Sequence, residues 1–168
     1  MNTSPVLLLD SNVWVDAFDG ERERHIRARA LLDLAIEKDV ALLYVVTSLK
    51  DVYYALSSIF KRHYRATHGE LNEDAARAAE QSSWSCIENI QEIATPVAVD
   101  LSDVLLAGRF RSQVHDFEDA LIAAAAMRCH ADALVTNDER FLRHCPVNAM
   151  DAADALVYLT MADADPNT

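Results

Sequence analysis

The chain has 168 residues, enough for one ordinary domain with its own core. Hydrophobic residues make up 51%, which excludes a disordered chain, and only 3 glycines and 4 prolines argue against an all-β protein full of tight turns. With 15 basic against 27 acidic residues the net charge is −12, the wrong sign for binding nucleic acid through a basic footprint, although carboxylates gathered around bound cations would soften that objection.

The opening MNTSPVLLLD has no basic segment ahead of its apolar run, which ends at an aspartate, so Val6–Leu9 is read as a buried strand and not as a signal peptide. Helical spacing of Ile26, Ala30, Leu31, Leu34 and Ala35 predicts a helix from about Glu21 to Lys38. Ala41–Val46 is a second buried strand. A long helix from about Leu49 to Tyr64 follows, with Val52, Leu56, Ile59 and Phe60 on one face. A turn at Thr67–Leu71 contains Gly69, and a helix covers Glu73 to Ile93. Pro96–Val99 is the third strand, after which Ser102 is expected to cap a helix from Asp103 to Arg111. An alanine-rich helix (Phe117–Cys129), a fourth strand (Ala133–Thr136), a helical turn (Glu139–Leu142), an edge strand (Val147–Ala149) and a last helix (Ala152–Leu159) complete the reading.

Strands alternating with helices predict one α/β domain over residues 1–160, a mostly parallel sheet covered on both faces, with residues 161–168 a loose tail. No apolar stretch approaches the ~18 residues of a membrane span, so no membrane contact is expected. Three cysteines, Cys86, Cys129 and Cys145, in a chain without export features suggest free thiols in a cytoplasmic protein.

In open α/β sheets ligands bind beyond the carboxyl ends of the strands. Asp10 and Asp138 both fall there, and carboxylates from two strands can share a hard cation such as Mg²⁺ or Mn²⁺. Each acid also has an ordinary structural role open to it. Asp10 suits a turn with Asn12, and Asp138 suits the N-cap of the helical turn after it. Ser48–Asp51 and Asp116–Asp119 both have capping-box spacing.

Taken together, DSNVWVDAF after the first strand, LKDVYYAL opening a mid-chain helix, DFEDALIAAAA opening a later one, and LVTNDERF resemble the PIN domain, and more closely the VapC-type toxin ribonucleases. The likeness runs from about Val6 to Leu159 and implies an α/β/α sandwich. It implies Asp10, Asp119 and Asp138 as metal-binding acids and places a fourth at Asp51, where the family more often has glutamate. Asp116 lies one helical turn before Asp119, as an added ligand or as a helix cap. Asn12, Thr136 and Asn137 would support the acids or contact the scissile phosphate. The likeness further implies one or two Mg²⁺ or Mn²⁺ ions, and water attack on RNA that leaves a 5′-phosphate and a 3′-hydroxyl. An antitoxin protein as partner and a homodimer complete the expectation.

Other signals carry less. Cys129–His130 and His144–Cys145 lack zinc-ligand spacing. Lys61, Arg62, Arg65, Arg109, Arg111, Arg140 and Arg143 suit either a phosphate backbone or a solvated helix face. Trp14 and Phe18 suit the core, or a contact with a partner or a base. A haloacid-dehalogenase-like phosphatase also opens with an aspartate after its first strand, but needs a titrating acid where this chain has Asn12. A catalytically inactive binding module with the same fold, receiver-like or PIN-like, is the remaining alternative.

Overall fold

The chain folds around five strands, β1 (Val6–Leu9), β2 (Ala41–Val45), β3 (Thr95–Val97), β4 (Ala133–Val135) and β5 (Ala149–Met150), in the computed structural model, which describes residues 4–161. Their order across the sheet is β3-β2-β1-β4-β5, and all four neighbouring pairs run parallel. Eight helices pack on it: α1 (Ser11–Phe18), α2 (His25–Glu37), α3 (Ser48–His68), α4 (Glu73–Ile93), α5 (Leu101–Phe110), α6 (Phe117–Arg128), α7 (Glu139–His144) and α8 (Ala152–Met161).

The continuous apolar run of β1 is explained by burial on both faces. Leu7 and Leu9 point into a core shared with Trp14 of α1, Leu31 of α2, Leu56 of α3, Ile90 of α4 and Leu159 of α8. Leu8, between them, enters the opposite core with Phe110 of α5, Ala123 and Ala124 of α6, and Phe141 of α7. Either core loses about 2–5 kcal/mol when one such leucine is cut to alanine. The alanines of α6 are buried nearly all round, so the helix lies close to its neighbours and has no room for larger side chains.

Several local readings change. The segment after β1 is a full helix, α1, which its V-W-V sequence disguises because β-branched and aromatic residues score poorly as helix formers. Helix α3 continues to His68 and stops where Gly69 takes φ +83, a left-handed conformation that spares glycine a Cβ clash. Ser48 is not a side-chain cap. It is buried within the first turn, and the capping position, Thr47, makes no side-chain cap bond. Helix α5 is capped by Asp100 and not by Ser102, through a reciprocal box with Asp103. Helix α8 ends at Met161, and the remainder of the expected tail, 162–168, lies outside the described residues. Among the described residues no helix is long and apolar enough to cross a membrane.

The sheet order creates the functional end of the molecule. The chain leaves β1 for β2 on one side, while β4 returns on the other, so a crevice opens beyond the carboxyl ends of β1 and β4. Helices α1, α3, α6 and α7 all begin at that end, and their N-termini favour negative charge.

Candidate active site

Asp10 follows β1 directly, is only 5% exposed, and caps α1. Its Oδ1 accepts from the Ser11 amide at 2.6 Å and the Ser11 hydroxyl at 3.3 Å. Its Oδ2 accepts from Asn12 Nδ2 at 2.6 Å and from Thr136 Oγ1 at 2.8 Å. Burial pushes the Asp10 carboxyl up from its ordinary value, these hydrogen bonds oppose the shift, and the charge of Asp138 adds to it.

Thr136 and Asn137 follow β4 and carry Asp138 into the same crevice. Asn12 links the two strand ends, donating to Asp10 while its Oδ1 accepts from the Asn137 amide at 2.9 Å. The Asp138 amide donates to Thr136 Oγ1 at 3.2 Å. Asp138 Oδ1 caps α7, accepting from Arg140 N at 2.8 Å and Phe141 N at 3.0 Å. Among the described residues its Oδ2 accepts no hydrogen bond. Asp138 therefore caps α7 through Oδ1 and also lines the crevice.

Helix α6 brings the third set of acids. Asp116 caps it through Glu118 N at 2.9 Å and Asp119 N at 3.3 Å. Asp119, one turn in, is half-buried beside Asp116, Asp10, Asp138 and Glu118, and burial plus those four charges raise its pKa to about 7. A carboxylate raised this far marks a site where burial and surrounding acids both disfavour the charged form.

Asp51 enters from the first turn of α3. Lys50 Nζ donates to its Oδ1 at 2.7 Å, and its Oδ2 is buried without a partner. Glu118, which sequence reasoning passed over, meets it there. Burial, then the neighbouring Asp51 carboxylate, raise the Glu118 pKa. The available signal was the acidic run Asp116–Phe117–Glu118–Asp119, but helical spacing directs attention to positions three apart and away from the residue between them.

Asp116, Glu118, Asp119 and Asp138 line a cleft of about 710 Å³ together with Arg140, Arg143, His115 and His144, whereas Asp10 and Asp51 are not among its lining residues. A second recess of about 390 Å³, lined by Asn12, Asp16, Arg22, Arg24 and Asn137, shares Asp138 as its wall. Trp14, by contrast, is buried at 1% exposure, so it is core and not a contact surface. The three cysteines are free and half-buried, and burial raises each thiol pKa.

Among the described residues no three Asp, Glu, His or Cys side chains stand, as placed, where they could together hold a metal ion. The donor chemistry nonetheless suits a hard divalent ion. Every donor is a carboxylate, burial and neighbouring acids raise the Asp119 pKa to about 7, and Asp51 offers a buried oxygen without a partner. An ion such as Mg²⁺, which keeps several waters, needs only a few of these oxygens.

The PIN domain family model matches residues 6–140. No curated protein sequence matches the chain. Among solved structures the chain is similar to VapBC2 from Rickettsia felis bound to a promoter DNA fragment, at TM-score 0.61 and 16% identity, covering 87% of this chain and 98% of that one. It is also similar to DNA-bound VapBC from Salmonella typhimurium, at TM-score 0.59 and 18% identity, covering 88% and 98%. A third is VapC20 from Mycobacterium tuberculosis, described as a Sarcin-Ricin loop cleaving toxin, at TM-score 0.58 and 12% identity, covering 82% and 93%. At such identities the likeness speaks for the fold, whereas the family model spans most of the sequence. This chain belongs to the PIN domain family.

Proposed function

We propose that this chain is a divalent-metal-dependent ribonuclease and the toxin of a toxin–antitoxin pair. The observation that carries the reading is the convergence of Asp10, Asp119 and Asp138 from β1, α6 and β4 at the topological switch point, where burial first and then the neighbouring acids raise the pKa of Asp119 to about 7. Asp10, Asp119 and Asp138 would hold Mg²⁺ or Mn²⁺, with Asp51 and Glu118 beside them and Asp116 as cap and outer neighbour. Such an ion, when bound, supplies an activated water and offsets charge on the phosphate.

The chain's own residues do the rest. Asn12 and Thr136 fix the Asp10 carboxylate, and Thr136 also anchors the Asp138 amide. Arg140 and Arg143 line the same cleft and suit the phosphates flanking the scissile bond. Asp119, partly protonated at neutral pH, gives up its proton as the cleft gains positive charge.

RNA as substrate is supported by the fold shared with VapC20. A protein partner is supported by the VapBC complexes. The acidic cleft suits an inhibitory segment carrying arginine, which pairs with carboxylates through two parallel hydrogen bonds. A homodimer in the cytoplasm completes the proposal. The phosphatase reading is disfavoured because the Asn12 amide is committed on both sides, to Asp10 and to the Asn137 backbone, and cannot act as an acid.

The deciding experiment is cleavage of a mixed RNA pool by the purified chain with Mg²⁺ or Mn²⁺ and with EDTA. Cleavage that requires the metal and fails in Asp138→Asn supports the reading. An inert protein at every metal concentration points to a binding module, and equal activity in EDTA excludes the metal mechanism.

A further inference from the structure

Asp16 is a carboxylate with no place in the chemistry above, yet it is 2% exposed. It projects from α1 toward the turn after β4. Its Oδ2 accepts from Asn137 Nδ2 at 2.6 Å, and its Oδ1 pairs with the guanidinium of Arg22. A buried charge is costly unless paired and hydrogen-bonded, and here Oδ2 is hydrogen-bonded to Asn137 while Oδ1 has the Arg22 ion pair and no hydrogen bond.

What Asp16 holds is the residue next to Asp138. Asn137 is restrained at four points. Its Nδ2 goes to Asp16, its Oδ1 accepts from Ala152 N of α8 at 3.1 Å, its amide goes to Asn12, and its carbonyl accepts from Arg24. Arg24 also pairs with Glu139, the residue after Asp138. The Asn12 bond and the Arg24 bond grip the backbone. The Asp16 bond fixes the amide side chain so that its oxygen faces α8. Asp16 thereby ties α1, α8 and the Asp138 turn into one unit, on the side of Asp138 away from the main cleft.

We propose that Asp16 is a positioning residue for Asp138. Its charge, sustained by Arg22, orients Asn137, and Asn137 sets where the unbonded Oδ2 of Asp138 points in the cleft. The proposal rests on the nuclease reading for its consequence in turnover, but the ordering of the turn stands apart from it.

The test compares Asp16→Ala, Asp16→Asn, Asn137→Ala and the double variant Asp16→Ala/Asn137→Ala in the full chain. Asp16→Ala is expected to lower kcat about tenfold or more with KM little changed, and to raise the Mn²⁺ concentration at half-maximal thermal shift, as losses of outer-shell support do. Asp16→Asn keeps an acceptor for Asn137 and is expected to recover most of that loss while remaining less stable, because the Arg22 pair is gone. The double variant should be little worse than either single, since the two residues act as one strut. Side-chain amide resonances of Asn137 in the ¹⁵N spectrum should shift and sharpen in Asp16→Ala, with the Asp138 amide following, even if the wild-type chain cleaves nothing. A lower melting temperature with wild-type kcat and Mn²⁺ response, additive losses in the double variant, or an unchanged Asn137 signal would each overturn the proposal.

Discussion

Thr136 Oγ1 donates to Asp10 Oδ2 at 2.8 Å across 126 positions of sequence, and the same oxygen accepts from the Asp138 amide at 3.2 Å. One hydroxyl therefore sets the relative placement of two acids from different strands. It is fully buried at the end of β4, where β1 and β4 are paired from Leu7–Ala133 to Leu9–Val135.

Thr136→Val should accordingly separate placement from charge. The variant keeps the shape of the side chain and loses the bridge, leaving one acceptor of Asp10 and the Asp138 amide with a partner fewer. We expect a loss of about 1–3 kcal/mol in a urea melt and a turnover loss of about tenfold or more. A variant that is destabilised but cleaves at the wild-type rate would show that the bridge serves folding alone.

Asp138→Asn is the cleaner charge test of the pair. Asparagine caps helices as well as aspartate does, so α7 should survive and the melt should move little. Asp10 differs, because both its oxygens accept from donors, and an introduced NH₂ would face Asn12, Ser11 or Thr136. Both variants should lose at least about a hundredfold in kcat, or roughly 2.7 kcal/mol of barrier, but only Asp10→Asn should also melt early.

The raised pKa of Asp119 predicts a pH dependence in the metal-free protein. Its folded value is about 7, above the ordinary 3.8, so the folded state binds the extra proton between those limits. That contribution to stability is fully present below pH 3.8 and is lost as pH rises through 7. Melting temperature without metal should fall over this window on account of Asp119, and Asp119→Asn should flatten the fall. Metal should bind more tightly as pH rises through 7, with proton release measurable by calorimetry in buffers of different ionisation enthalpy.

Asp51 and Glu118 should behave as one unit. The missing side-chain cap at α3 means that Asp51→Asn removes no helix-end hydrogen bond to the backbone, so its melt should stay near wild type or rise. Glu118→Gln should weaken the Mn²⁺ response about tenfold, and Asp51→Asn should add little in that background. Asp51→Glu is expected to retain activity only if Glu118 can yield its place. Independent effects of the two changes would show that their contact is incidental.

Asp103 provides the contrasting case of a structural acid. It is fully buried, accepts from Arg128 Nε at 2.8 Å and Nη2 at 2.9 Å, and closes the cap of α5. Asp103→Ala should cost about 3 kcal/mol, the low end for breaking a buried pair, because Arg128 is partly exposed and can rehydrate. Cleavage by the fraction that remains folded should be unchanged, as measured well below the transition.

Much of this molecule is legible in its sequence because hydrophobic period is a local property. The apolar runs of β1, β2 and β4, the long stripe of α3 and the alanines of α6 announce a parallel sheet between helices whatever their partners turn out to be. The placement of Asp10 and Asp138 at strand ends is also local. The resemblance in DFEDALIAAAA and LVTNDERF adds Asp119, and the matching family model covers those blocks up to residue 140.

Other features depend on what lies across space. Helix α1 forms despite its β-branched residues because Val13, Trp14 and Val15 are buried against the core. Ser48 and Asp51 have capping-box spacing, but Ser48 is buried inside the first turn, so the box does not form. Glu118 reaches Asp51 only because α6 and α3 start at the same end of the sheet, and Asp16 reaches Asn137 across 121 positions. By itself, then, the sequence determined most of the elements, α1 excepted, and the residue types at their ends, since propensity and period act within a few residues. Which carboxylates share charge, which is left partly protonated and which merely braces a turn was decided by the tertiary structure, because electrostatic coupling depends on distance and burial and not on separation along the chain.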